Sequence, residues 1–116
     1  MKKKVANRTK SLQLEFERLS RSLAGTGYIS QGSVLDRSQL TPPRSGYQWT
    51  RKRAKKTITV ALSREQFYSL RKAIENRRKL QNKLTKMEQL TRNILFETHP
   101  DTRRRKPLAK RALGLI

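Results

Sequence analysis

The chain has no cysteine, so disulfide scaffolds, cysteine-ligated zinc, iron–sulfur clusters and thiol catalysis are excluded. His99 is its only imidazole, which leaves multi-histidine metal sites and Ser-His-Asp chemistry little to draw on. Beside Pro100, this histidine reads as a helix-end residue. Aromatic residues make up 6% of the chain. No run of about 18 apolar residues exists, so no membrane-crossing helix is expected. The start, Met1-Lys2-Lys3-Lys4-Val5-Ala6-Asn7, is basic but lacks the apolar core of a signal peptide. A cytoplasmic protein, associated with the nucleoid or a ribonucleoprotein, is the expectation.

Acids are scarcest relative to their opposites. Eight Asp or Glu stand against 29 Lys or Arg in 116 residues, a formal charge of +21. So short a chain makes one small domain with a thin core, burying about two-thirds of its unfolded surface. Self-repulsion opposes its compaction, and a partner with dense negative charge would relieve it. The acids Glu15, Glu17, Asp36, Glu65, Glu75, Glu88, Glu97 and Asp101 are dispersed, not clustered as a two-metal nuclease or transposase centre requires. A non-catalytic protein without metal or cofactor is expected.

What the chain does have is periodicity. Residues 1–10 read as a basic flexible arm. Leu12, Phe16, Leu19 and Leu23 then form one helical stripe, stopped by Gly25 and Gly27, with Gly25 as the capping glycine. From Tyr28 to Arg37 strand formers dominate, and Gly32 marks a bulge or a close approach. Residues 38–46, with Pro42 and Pro43, form a loop. Tyr47–Thr50 and Thr57–Leu62 are two strands of a hairpin whose turn, 51–56, is very basic. Ser63-Arg64-Glu65-Gln66 is a capping box opening a helix over 63–97, roughly 50 Å long and limited by Pro100. Its apolar stripe breaks at Asn76-Arg77-Arg78-Lys79. The first half is expected to cover the sheet, and the second to pair with the Leu12–Leu23 helix or with another copy of the chain. Residues 98–116 form a second basic tail. The fold class is α+β: an N-terminal helix, a three-stranded antiparallel sheet with a basic hairpin, a long C-terminal helix and basic tails, with 11–97 as the single domain.

Three basic clusters are candidate phosphate contacts: Lys2, Lys3, Lys4 and Arg8 (with Lys10); Arg51, Lys52, Arg53, Lys55 and Lys56; and Arg103, Arg104, Arg105, Lys106, Lys110 and Arg111. One such run would pass for an ordinary solvated surface; three at +21 point to nucleic acid, DNA or RNA. A fourth surface is the long helix, where Arg71, Arg77 and Arg78 lie among cations recurring near heptad spacing. Its plainer reading is a solvent face with pairs such as Glu75–Lys79 and Glu88–Arg92. Tyr47 and Trp49 would stack on unpaired bases or, in the preferred reading, form the core beneath the helix.

The stretch 27–94 resembles an uncharacterised family of small bacterial proteins often encoded beside transposases. The residues that carry the resemblance are Gly27 and Gly32-Ser33-Val34, Gly46-Tyr47, Thr57-Ile58-Thr59-Val60, the capping box Ser63–Gln66, and Asn76-Arg77-Arg78. Many members hold a cysteine-rich, metal-site-like segment where this chain has Ser38-Gln39-Leu40-Thr41-Pro42-Pro43, so that role is lost here. The resemblance implies a mobile-element setting and no particular activity. The charge points to an accessory nucleic-acid binder in that setting, and the stripe of the long helix to the alternative, an adaptor pairing with itself or with a larger transposase or nuclease. No membrane partner is expected.

Overall fold

The computed structural model describes residues 2–99 and 108–115, with side chains from residue 6 onward. The Arg103–Lys106 cluster and the side chains of Lys2, Lys3 and Lys4 lie outside the described residues. The order is helix α1 (Lys2–Ser22), strands β1 (Ser33–Asp36), β2 (Tyr47–Arg53) and β3 (Lys56–Leu62), then helix α2 (Arg64–Thr98). Short 3-10 turns follow α1 and β1. The chain divides into two compact units, Thr26–Leu80 and Met1–Gly25 with Gln81–Ile116. The division falls at the basic interruption of the α2 stripe, because four polar residues in succession leave no apolar side chain to carry one core through.

In the first unit the three strands form an antiparallel meander in the order β1-β2-β3. The register sets Val34 beside Trp49 and Trp49 beside Val60, with Tyr47 beside Leu62. The strand pleat puts these residues on one face. That face meets the first turns of α2: Tyr47 stacks on Phe67 with ring centroids 4.5 Å apart. Phe67 and Ala73 are the buried residues of this unit among those described. The capping box forms as the sequence requires. Gln66 N–H donates to Ser63 Oγ at 3.2 Å, and Ser63 N–H donates to Gln66 Oε1 at 2.9 Å.

The first strand is shorter than the sequence suggests. Residues 28–32 have no regular structure and are tied to α2 instead: Ser30 N–H donates to the Ala73 carbonyl, and Asn76 Nδ2 donates to the Tyr28 carbonyl. Gly32 is the close approach anticipated. Its φ is +104°, and a Cβ there would lie 2.5 Å from Trp49 Nε1 and 2.7 Å from the Thr50 carbonyl oxygen. The left-handed glycine after α1 is Gly27 at φ +79°, rather than Gly25. A 3-10 turn over Leu23–Gly25 postpones the reversal.

In the second unit α1 runs antiparallel to residues 81–98 of α2. Arg8 pairs with Glu97, Lys86 with Glu15 at 3.8 Å, and Lys83 Nζ donates to the Ser22 carbonyl at 3.4 Å. Helix extends back to Lys2, so 2–10 are not the arm expected. Nothing between Lys2 and Ser22 breaks a helix, and Glu97 fixes this stretch through Arg8 and through Thr9 Oγ1 at 3.3 Å. Residues 108–115, within the segment read as a basic tail, also dock here; 100–107 lie outside the described residues. Leu113 is buried, its carbonyl accepts from Arg92 at 3.1 Å, and the Gly114 carbonyl accepts from Gln89 at 3.2 Å. Leu90, only 4% exposed, anchors the α2 side.

Candidate nucleic-acid interface

The hairpin turn is tighter than its basic sequence suggests. Arg53 pairs directly with Lys56, leaving only Ala54 and Lys55 in the loop, with φ of 49° and 67°. This is the left-handed, type I′ geometry that matches strand twist and that Asn-Gly normally supplies. Here a β-carbon occupies both positions, so the turn is strained. The pairing of Tyr47, Trp49 and Arg51 with Leu62, Val60 and Ile58 imposes the register, and the turn follows it.

As a result, four of the five hairpin cations lie on strands. Arg51, Arg53 and Lys56 share the face of Trp49, Lys52 lies on the opposite face with Thr50, Thr57 and Thr59, and Lys55 is at the tip. Charge therefore covers both faces of a two-stranded ribbon. Tyr47–Leu62 contains five cations and no acid, and no carboxylate of the described residues pairs with any of them. Arg53 and Lys56, like charges directly opposite, work against the fold.

The aromatics divide by role. Tyr47 is committed to Phe67 as packing. Trp49 is half-buried; its Nε1 donates to the Gln31 carbonyl at 3.0 Å, and its ring carries the Arg51 guanidinium 5.6 Å from its centroid. This cation–π contact ties the half-buried Arg51 to the Trp49 ring.

The α2 cations are less uniform than their spacing. Arg71 pairs with Glu75 at 3.8 Å, so Glu75 reaches back one turn rather than forward to Lys79, while Glu88 pairs with Arg92 as expected. Arg64 lies over Tyr68. Arg77 is half-buried; Lys72, Arg78 and Lys79 are exposed, and no described carboxylate pairs with them. Lys110 and Arg111 are exposed on the docked C-terminal turn. That docking was missed, although the apolar Leu113-Gly114-Leu115 was its signal.

Asp36 holds a 3-10 turn. Its carboxylate accepts from the Ser38 hydroxyl at 2.7 Å and the Ser38 N–H at 3.0 Å, which together hold its pKa below the usual aspartate value. Among the described residues no group of three or more His, Cys, Asp or Glu could hold a metal ion, and no helix is long and apolar enough to cross a membrane. No protein-family model, curated protein or solved structure matches the chain.

Proposed function

We propose that this protein is a non-catalytic nucleic-acid-binding accessory protein that contacts the phosphate backbone through the β2–β3 ribbon, with exposed α2 cations and the terminal basic segments adding further contacts. The observation that carries the reading is the ribbon itself: five cations, no acid, a like-charge pair and a strained turn. A fold keeps such a costly tip where an anionic partner offsets the cost. A two-stranded β-ribbon also has the width that the major groove of a duplex admits. The resemblance over residues 27–94 supports a mobile-element setting, in which a larger transposase or nuclease supplies the chemistry. Phosphate contacts of this kind fix position and carry little sequence information.

Charge reversal tests the placement. The triple variant Lys52→Glu, Arg53→Glu, Lys55→Glu and the control Lys10→Glu, Arg18→Glu, Arg21→Glu both lower the net charge by six, from +21 to +15. Binding to duplex DNA, single-stranded DNA and structured RNA is expected to fall at least tenfold further in the hairpin variant (about 1.4 kcal/mol). Equal losses would show that the ribbon has no special part. Arg53→Glu alone converts the like-charge pair with Lys56 into an opposite-charge one. It is expected to stabilise the hairpin by about 0.2–1 kcal/mol while weakening binding.

A second reading, an adaptor pairing through α2 with itself or with a larger enzyme, draws support from Leu84, Leu95 and Phe96, which are apolar and exposed. Alanine at these positions would abolish such pairing and leave the salt-dependent binding intact.

A further inference from the structure

β3 is an edge strand: it pairs with β2 on one side, and no other strand of the described residues adjoins it. In a two-residue hairpin the residues flanking the turn exchange hydrogen bonds, and bonded and non-bonded pairs then alternate. Counting from the Arg53–Lys56 pair, the backbone groups of Thr57, Thr59 and Ala61 point away from β2. Natural edges are guarded by charge, proline or bulges. Beyond Lys56 at its start, this one is not: Thr57-Ile58-Thr59-Val60-Ala61-Leu62 has no charge, proline or glycine. Thr57, Thr59, Val60 and Ala61 are exposed, Val60 to 43%.

We infer that a second copy of this chain pairs antiparallel along β3, about a two-fold axis at Thr59, and joins the two three-stranded sheets into one six-stranded sheet. The strand reads almost the same in both directions from Thr59. Self-pairing sets Thr59 against Thr59, Ile58 against Val60, Thr57 against Ala61, and Lys56 against Leu62. The first three pairs suit an antiparallel sheet: threonines that can hydrogen-bond, β-branched residues side by side, small residues together. In a chain of +21, this register brings no cation opposite a cation. The outward backbone groups of Thr57, Thr59 and Ala61 supply about six hydrogen bonds. Such pairing occupies the same edge on both copies and therefore closes at two. The remaining outer edge, β1, has four residues and carries Asp36. Edge pairing of one strand buries less than the ~1,200 Å² of a stable interface, so the dimer is weak and concentration-dependent.

The inference goes beyond nucleic-acid binding and is tested without nucleic acid. The whole chain is sedimented over a concentration series at about 1 M salt, where charges are screened beyond about 3 Å. A reversible monomer–dimer equilibrium is expected. Thr59→Lys opposes two lysines at the axis and should raise the dimer dissociation constant about tenfold. Thr59→Pro removes only an outward-pointing N–H, a position that edge strands tolerate, and should give a monomer. Circular dichroism and melting of both variants confirm that the monomer is folded. Because the chain has no cysteine, Thr59→Cys takes a single nitroxide, whose partner Cα is expected about 5.5 Å away. A label on Lys55→Cys should report roughly 30 Å. A monomer at every concentration, a dimer that Thr59→Lys leaves intact, or a long Thr59–Thr59 distance would each overturn the inference.

Discussion

Ala54 and Lys55 show what one turn costs when the strands dictate its shape. Both sit at positive φ with a β-carbon, where Asn and Gly would sit without strain. Replacing them as Ala54→Asn, Lys55→Gly is expected to stabilise the protein by about 1 kcal/mol, read as a higher denaturant midpoint with an unchanged slope. A lower midpoint would contradict the left-handed turn. Gly32 was legible because a glycine among strand formers signals a backbone approach, and Trp49 fills the space its missing side chain leaves. Gly27 was not, because two glycines two residues apart give a local reading no ground for choosing which one reverses the chain. Tyr47 and Trp49 differ for the same reason. Alternation places them on one face and both are half-buried, but only the neighbours Phe67 and Gln31 decide that one ring stacks on another ring and the other is held through its Nε1.

Elements were easier to read than residues where a pattern had a start signal. Ser63 and Gln66 announce α2, and both hydrogen bonds of the box form. The β2–β3 strands followed from Ile58, Val60 and Leu62. The beginning of α1 had no such signal, since no capping residue precedes Lys2 and the apolar stripe starts only at Leu12. Its first turns are held by Glu97, distant in sequence, and such contacts leave no local trace. The second unit rests on few buried residues, with Leu90 and Leu113 the buried ones among those described. Leu90→Ala is expected to cost about 2–4 kcal/mol and to release the docked 108–115 turn, seen as faster amide exchange at Leu113 and Leu115 than at Phe67. Uniform acceleration in both units would mean that they unfold together.

At the scale of the whole molecule, +21 on 116 residues has a structural address. Four ion pairs occupy cations of α1 and α2, whereas the ribbon cations have no carboxylate partner among the described residues. Paired along β3, two copies would hold their tips roughly 30 Å apart, close to the ~34 Å of one turn of duplex DNA. The net charge pointed to a polyanion from the outset; the register of β2 and β3 indicates which cations are free to meet it. The most direct measurement is the affinity for a short duplex as salt is raised from about 50 to about 200 mM. A chain neutralising six to ten phosphates should lose about three to five decades of affinity, and the Lys52, Arg53, Lys55 reversal should flatten the log–log slope by about 3. A flat dependence, or no binding at low salt, would contradict nucleic-acid binding outright.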